Sequence, residues 1–290
     1  MTDAGPIRLA KADPHYPVLL REIHDPPPAL YLRGAGPPQL LSAPAVAIVG
    51  ARACSPYGAR VGRMLGHELA AAGIVVISGL ARGVDGEAHR GALDVGGVTM
   101  AVLGCGVDRD YPAVHAQLAR RICEHGLVVS EYEPGVEPAP WRFPARNRII
   151  AGLAEATVVV EAREQSGALI TADFALEDGR TVFAVPGEIT NALSVGTNRL
   201  LRDGAVPLLS TADVLDAFGF SPPAPAVQAE LTPTAAQVLE RLRERPWSVD
   251  ELACAADRTP AETSAALTEL ELAGAASAAD GLYRAVMPAV

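Results

Sequence analysis

The chain of 290 residues is long enough for one large α/β domain and a second, smaller one, and its formal net charge of −10, taken as a whole, argues against a nucleic-acid partner. Hydrophobic residues make up 49% of the sequence and aromatic residues only 4%, so we expect a core of Val, Ile, Leu and Ala. No apolar run approaches the roughly 18 residues that cross a membrane, and the N-terminus lacks the features of a signal peptide, which predicts a cytoplasmic protein.

The distribution of charge weakens the argument from net charge. Residues 1–220 carry 19 basic and 24 acidic side chains, and residues 221–290 carry 5 and 10, so each part has a net charge of −5. Lys11 is the only lysine, and the other basic side chains are arginines, whose planar guanidinium suits phosphate and base stacking. A local cluster of arginines can therefore still bind a polyanion.

Residues 1–44 are rich in proline and are predicted to form a lead-in that packs on the main domain. We expect a short helix within 18–23 and an edge strand at 29–32, because Pro26 to Pro28 prevent a helix between them.

Residues 45–220 alternate between short apolar, β-branched runs and helical patterns such as 58–72 and 113–124. This alternation predicts an α/β domain with an extended Rossmann-like, doubly wound parallel sheet. The runs place strands near 46–50, 74–78, 98–104, 127–131, 156–161 and 181–185, with a further candidate at 205–209.

Glycine-rich loops follow these runs. Gly79, Gly83 and Gly86 come after the run 74–77 at intervals of four and three, and similar loops follow five other runs. Glycine lets the backbone approach a ligand, and the first turn of the following helix has unpaired N–H groups, so such loops can hold phosphate. Because the strand ends share one edge of a parallel sheet, one long groove is predicted there. For any single loop, a tight turn that needs glycine only for packing is the alternative.

Arg52 and Arg82 each lie inside one of these loops. Arg52 and Arg82 either contact phosphate or form internal salt bridges with Asp85 or Glu87. His89 lies one helical turn after Asp85, but no nucleophile accompanies the pair. We therefore predict that His89 makes a structural hydrogen bond that fixes the loop.

The segment 141–153 combines arginines with aromatic rings just before a predicted helix. Binding of a single nucleic-acid strand requires both: positive charge for the phosphate backbone and a ring on which unstacked bases can stack. The alternative is a charged helix start with Phe143 in the core. The polar and aromatic residues of the segment are Trp141, Arg142, Phe143, Arg146, Asn147 and Arg148. Counting Arg52, Arg82, Arg146 and Arg148 as one phosphate contact each predicts about four displaced counterions.

Several catalytic motifs are missing from the sequence. There is no P-loop, dinucleotide-binding fingerprint, serine-hydrolase elbow or H-E-x-x-H pair, so the loops are predicted to hold phosphate without a cofactor or metal. The four cysteines are widely spaced and predict ordinary reduced thiols. Ser166 and Gly167 start another predicted helix and can donate to phosphate or merely cap it.

Residues 221–233 are predicted to be a linker, and residues 234–290 a winged-helix domain of three helices and a hairpin. Thr259 is a candidate N-cap for the third helix, and Gly274 a candidate end. That helix carries Glu262, Glu269 and Glu271 without any basic residue, which disfavours reading of a DNA groove. We expect a protein-contact or accessory role for this domain.

The sequence resembles the DNA-processing protein A family (DprA/Smf) over nearly its whole length. The resemblance rests on 16–34, A-I-V-G-A-R (47–52), S-G-L-A-R-G-V-D-G-E-A-H (78–89), F-P-A-R-N-R-I-I-A-G-L (143–153), S-G-A-L-I-T-A (166–172) and V-P-G (185–187). A helical domain that often precedes the Rossmann domain in this family is not expected here. Lysine is missing from the groove segments, so any family contact made by a lysine must come from arginine.

The resemblance implies a non-enzymatic mediator that binds single-stranded DNA, forms a homodimer and helps load the recombinase RecA on incoming strands during natural transformation. By motif, the groove would be formed by Arg52, Ser78, Gly79, Arg82, Gly83, Phe143, Arg146, Asn147, Arg148, Ser166 and Gly167. The alternative is a nucleoside-monophosphate hydrolase of the lysine-decarboxylase-like type. Those enzymes use P-G-G-x-G-T-x-x-E, whereas Glu188 directly follows Pro186 and Gly187 here.

Overall fold

The computed structural model describes residues 5–219, 231–273, 275–279 and 281–285. They form two compact units, one on each side of residues 220–230. Most of the predicted linker, and Gly274 as the predicted end of the third helix, lie outside the described residues. No helix in the described ranges is long and apolar enough to cross a lipid bilayer.

The first unit alternates strands and helices along the chain. Its strands are β1 (Ile7–Ala10), β2 (Ala29–Arg33), β3 (Ala45–Val49), β4 (Val75–Ser78), β5 (Thr99–Val102), β6 (Leu127–Ser130), β7 (Ala156–Val159), β8 (Thr181–Ala184) and β9 (Val206–Pro207). Its helices are α1 (Val18–Arg21), α2 (Pro56–Ala71), α3 (Val84–Asp94), α4 (Ala116–His125), α5 (Arg142–Leu153), α6 (Gly167–Glu177), α7 (Val195–Arg202) and α8 (Thr211–Ala217), with short 3-10 helices at Pro38–Ser42 and Ala113–His115.

All nine strands belong to one sheet in the order β1-β2-β6-β5-β4-β3-β7-β8-β9. Strands β3 to β9 are parallel to one another, which confirms the predicted doubly wound parallel sheet. The lead-in is part of this sheet, since β2 pairs antiparallel with β6 on one side and with β1 on the other. The prediction of an edge strand at 29–32 was therefore wrong: β1, which was not predicted, occupies that edge.

Apolar residues of the strands point alternately to the two faces of the sheet, as the period of two requires. Helices α1, α5 and α6 cover one face, where Leu20, Ile150 and Ala172 pack on residues such as Val49 and Ile77. The other face is covered over its central part by α2, α3 and α8. Helix α4 packs beside them, over strands β5 and β6. The strand order reverses between β3 and β7, and at such a point the loops diverge to opposite faces and open a crevice.

The second unit contains three helices, α9 (Pro233–Glu244), α10 (Val249–Ala255) and α11 (Pro260–Leu272), followed by the antiparallel hairpin β10 (Ala276–Ala279) and β11 (Leu282–Ala285). Thr259 caps α11, as predicted: its side chain accepts from the amide of Glu262, whose carboxylate accepts from the amide of Thr259. Glu269 of α11 accepts hydrogen bonds from Thr232, just before α9. Two of the three acidic side chains on α11 thus make contacts within this unit.

Candidate nucleic-acid interface

Two pockets open at the carboxyl ends of the central strands. The large pocket, about 300 Å³, lies at the reversal point between the loops after β3 and β7. The small pocket, about 90 Å³, lies between the loops after β4 and β5. Arg52, Ala81, Phe143 and Arg146 line both. The two pockets are therefore neighbouring parts of one cleft, which we call the groove.

A stack of three side chains stands at the boundary between the pockets. The ring of Phe143 stacks on the ring of Tyr111, with centroids 5.2 Å apart at 21°, and the guanidinium of Arg52 lies 5.7 Å from the centroid of the Phe143 ring. Arg52 and Tyr111 are exposed and Phe143 is half-buried. This stack presents a cation and an aromatic surface side by side, and the alternative in which Phe143 belongs to the core does not hold.

Three exposed arginines line the groove without an acidic partner. Arg52 and Arg163 face the large pocket, and Arg52 and Arg82 face the small one. No carboxylate of the described residues forms an ion pair with any of the three, so the predicted alternative of salt bridges to Asp85 or Glu87 is wrong. The sequence did not single out Arg163, because it stands between acidic residues, although it lies in one of the predicted glycine-rich loops.

Arg146 lines the floor of both pockets but is almost entirely buried. Only 4% of it is exposed, and its guanidinium donates to the carbonyl oxygens of Gly79, at 2.7 Å, and Val102, and to the side chain of Asn147 at 3.1 Å. Burial lowers the pKa of Arg146 to about 10, against the opposing effect of the nearby Asp85 carboxylate. The guanidinium therefore joins β5 to the loop after β4, and its Nε and Nη1 donate within the protein.

Asn147, Ser166 and Gly167 form a second link across the groove floor. The amide nitrogen of Asn147 donates to the carbonyl of Gly167 at 3.1 Å, which connects α5 to the start of α6. Ser166 caps α6 by accepting from the amide of Ala168. All three line the large pocket. Ser166 therefore caps α6, which was the alternative to a phosphate contact, and it also lines the large pocket.

The loop after β4 is held from within. Ser78 is completely buried and donates to the carbonyl of Ile48, so the prediction that it lies in the groove was wrong. The Asp85 carboxylate accepts from the amides of Gly79 and Ala81, and burial raises its pKa. Any side chain at Gly79 would collide with the Arg146 guanidinium, 2.4 Å from an added Cβ.

Gly83 directly precedes helix α3, and His89 lies within it. Gly83 precedes α3 with a φ of +77°, and an added Cβ would lie 2.2 Å from the carbonyl of Ala51, so glycine is required there. His89 does make the structural hydrogen bond that the sequence predicts, but with Thr99 at 2.6 Å, which anchors α3 to β5. Asp85, and not His89, fixes the loop.

Arg148 does not reach the groove. Its guanidinium forms ion pairs with Glu131 at 2.7 Å and with Asp25 of the lead-in at 3.1 Å, and its side chain is only 12% exposed. The hydrogen bonds to Glu131 and the charges of both carboxylates raise the pKa of Arg148 in spite of its burial. The prediction that Arg148 lies in the groove was therefore wrong, and its contacts fasten the lead-in to α5.

Known proteins with the same sequence pattern identify the chain. The family model described as DNA recombination-mediator protein A matches residues 8–219, and the one described as DprA winged helix domain matches residues 213–281. The chain belongs to the DNA recombination-mediator protein A (DprA/Smf) family. The second match also confirms the winged-helix prediction for the C-terminal unit.

Individual members of the DprA/Smf family are similar over most of the chain. DNA processing protein DprA of Streptococcus pneumoniae is 47% identical, over 72% of this chain and 73% of its own length. A putative DprA of Mycobacterium tuberculosis is 42% identical over 88% and 68%, and protein Smf of Escherichia coli is 40% identical over 92% and 74%.

Two solved DprA structures share the fold. That of the Streptococcus pneumoniae protein has a TM-score of 0.70 at 43% identity, covering 75% of each chain. That of Helicobacter pylori DNA processing protein A has a TM-score of 0.65 at 32% identity, covering 71% of this chain and 94% of its own, and is described as showing a single-stranded DNA binding mode. These similarities place the chain among DNA-processing proteins.

Proposed function

We propose that this protein binds single-stranded DNA along the groove and acts without covalent chemistry of its own. The observation that carries the proposal is the stack of Arg52, Phe143 and Tyr111 between two pockets. An aromatic ring can take only a base that is unstacked, which favours a single strand over a duplex. The single-stranded DNA binding mode described for the Helicobacter pylori relative supports the same conclusion.

The charge of the groove suits a sugar-phosphate backbone. Arg52, Arg82 and Arg163 hold exposed guanidinium groups with no carboxylate partner among the described residues, and they are spread over three different loops. A row of cations separated in this way matches successive phosphates better than one phosphate. The acidic total of the chain therefore does not prevent local binding of a polyanion.

The nucleoside-monophosphate hydrolase is a weaker interpretation. The large pocket, at about 300 Å³, is within the range of small-molecule sites. Its only acidic lining residue among the described ones is Asp85, whose carboxylate oxygen already accepts from two backbone amides. A group held in this way is poorly placed to activate water or a sugar.

The dependence of affinity on length and salt tests the proposal. Three phosphate contacts predict that log K falls with log salt at a slope of roughly −2, at about −0.7 for each contact to a single strand. Affinity for oligothymidylates should rise with length until the groove is filled. Fluorescence anisotropy at several salt concentrations measures both quantities. Equal affinity for a mononucleotide and a long oligomer, with a slope near −1, would favour the hydrolase and exclude the groove proposed here.

Removing the Phe143 ring should weaken binding by about 1–3 kcal/mol for Phe143→Ala, because a base loses its stacking platform. The slope of log K against log salt should stay unchanged, since no phosphate contact is lost. Arg52→Ala is the matched comparison, because it removes the cation from the same stack. It should flatten the slope by roughly 0.7. The proposal is contradicted if the two variants change affinity and slope in the same way.

We further propose that the bound strand is passed to the recombinase RecA, as the description of the family as recombination mediators suggests. A mediator must contact both DNA and the recombinase, and the acidic winged-helix unit is a candidate for the protein contact. Co-purification of RecA with the full chain, and with a chain truncated after residue 225, tests this step. Failure of RecA to co-purify with the full chain in the presence of single-stranded DNA would contradict it.

A homodimer formed through the α/β unit is also proposed. Near its short edge strand β9, Leu209 is 80% exposed and Val206 42%, and a second copy could cover these side chains. Val214 and Leu215 of the neighbouring helix α8 are buried in the core and are not available to this surface. A chain truncated after residue 225 should remain dimeric in light scattering and keep most of its affinity for single strands. A monomer at micromolar concentration would contradict the dimer.

A further inference from the structure

A second aromatic cluster lies beside the groove, at the N-terminal end of α5. The guanidinium of Arg142 lies 4.8 Å from the ring centroids of both Trp141 and Tyr132. The two rings are edge-on to each other, at 6.4 Å and 87°. Arg142 also donates to the carbonyl of Glu137, which holds the cation between the rings. Trp141 is nevertheless 63% exposed, so a large indole surface stays open to solvent.

This cluster is continuous with the stack on Phe143. Trp141 and Phe143 are two residues apart, so their Cα atoms can be separated by no more than about 7.6 Å. Gly104, in the loop after β5, lies against Phe143 and the backbone of Arg142, since an added Cβ would meet the Phe143 ring at 3.0 Å and the Arg142 carbonyl at 3.2 Å. The two aromatic groups are therefore neighbours at the N-terminal end of α5.

We propose that Trp141, with Arg142 and Tyr132, is a second stacking platform that takes an unpaired nucleobase next to the one on Phe143. The inference rests on the proposed binding of single-stranded DNA and extends its path beyond the small pocket. An exposed indole is a large stacking surface, and every base has a π-face, so such a platform binds without sequence preference. A guanidinium beside the ring adds attraction for the neighbouring phosphate.

The acidic residues around the cluster are engaged elsewhere. Glu131 pairs with Arg148 at 2.7 Å, and Glu137 pairs with Arg109 at 2.9 Å. The Glu133 carboxylate accepts from the hydroxyl of Tyr31 at 3.0 Å. Arg142 itself has no ion pair among the described residues, so its charge is available beside the rings. These contacts favour an anionic strand over a second protein surface as the occupant.

Intrinsic fluorescence gives a direct test, because the chain has only two tryptophans, Trp141 and Trp247. The full-length Trp247→Phe variant leaves Trp141 as the single indole. We expect oligothymidylates of about 4 to 16 nucleotides to quench its emission, with quenching appearing only once the oligomer is long enough to pass Phe143. The full-length Trp141→Phe variant is the control. It retains Trp247, whose emission should not change with DNA.

Affinity measurements complete the test. Trp141→Ala should weaken binding of the longer oligomers by about 5- to 100-fold and leave the shortest unaffected, whereas Trp141→Phe should restore most of the loss. If anisotropy shows binding while Trp141 emission and the affinity of Trp141→Ala stay unchanged, the platform is refuted and the groove stands. If no oligomer binds at all, both proposals fail. If Trp141→Ala changes the molecular mass of the protein in solution but not its affinity for DNA, Trp141 belongs to a protein contact and the inference is overturned.

Discussion

Arg146→Ala is expected to lower the free energy of unfolding of the α/β unit by about 2–5 kcal/mol, because two buried carbonyls lose their donors. These are the carbonyls of Gly79 and Val102, and Asn147 loses a further donor. The buried Asp85 carboxylate would also lose the only nearby charge that opposes the effect of burial on it. Urea denaturation followed by circular dichroism measures the change.

Two comparison variants separate the causes. Arg146→Lys keeps a positive charge but offers one ammonium in place of a planar fork, so it should recover only part of the stability. Arg52→Ala removes an arginine from the same cleft, yet its side chain is exposed and has no carboxylate partner. It should change stability by no more than about 0.5 kcal/mol.

The salt dependence of DNA binding should distinguish Arg146 from Arg52 in the opposite way: Arg52→Ala should change it and Arg146→Ala should not. The sequence alone suggests four phosphate contacts, one of them from Arg146, and a slope of roughly −3 for log K against log salt. In the structure Arg146 and Arg148 contact internal partners, and Arg163 lines the groove. Three phosphate contacts remain, so we expect a slope of roughly −2. Arg146→Ala should weaken binding by loosening the loops without changing this slope. A flatter slope for that variant would mean that Arg146 turns outward to a phosphate.

The fold was predictable because the signals are local. The strands β3 to β8 are runs of four or five mostly buried residues rich in Val, Ile and Thr, and the observed strands begin and end within three residues of the predicted ones. Strand β1 was missed because only Leu9 of its four residues is buried. The position of β2 between β1 and β6 depends on pairing with a strand about 100 residues away, which no local pattern reveals.

The direction of the arginines on α5 could have been found. Arg146 precedes Ile149, Ile150 and Leu153 by three, four and seven positions, which is the spacing of one helix face. All three of those residues are buried, and Arg146 lies with them. The three arginines close together in the sequence favoured a phosphate contact for Arg146. The helical spacing of Arg146 from the apolar residues instead indicates a position in the interior.

The stack of Arg52, Phe143 and Tyr111 shows what the sequence could not supply. Arg52 and Phe143 were both candidates, but their contact joins the loop after β3 to α5. Tyr111 belongs to the loop after β5, which carries its own acidic and basic residues and gave no sign of an aromatic partner. Only the strand order brings these two loops and α5 to one place, so the groove could not be derived without the topology.

His89 is expected to destabilise the protein in acid. Its Nδ1 lies 2.6 Å from Thr99 Oγ1, and that hydroxyl donates to the carbonyl of Val76, so the neutral ring must donate from Nδ1. Nε2 is buried without a partner. Burial, followed by the positive charges of His115, Arg146 and Arg90, lowers the pKa of His89 from 6.5 to about 3.

The direction of the pH effect on stability follows from the protonation of His89 in the folded and unfolded states. Because the pKa is lower in the folded protein, the unfolded chain binds one more proton between pH 6.5 and about 3. Stability is therefore unaffected by this group above pH 6.5 and is lost as the pH falls through that window. The folding equilibrium constant should fall about tenfold for each pH unit, and the whole window amounts to up to about 5 kcal/mol.

His89→Gln isolates this contribution, since an amide N–H can replace the donor to Thr99 but does not titrate. Other groups also titrate in acid, so the relevant measurement is the difference in the pH dependence of unfolding free energy between the two proteins. Between pH 6.5 and 4.5 the folding constant of the variant should fall by about 50-fold less than that of the parent chain. His67→Gln, at an exposed position on α2, is the matched control and should leave the pH dependence unchanged. If His89→Gln and the parent chain respond to acid in parallel, the imidazole takes up its proton in the folded state, and α3 and β5 must separate enough to admit water.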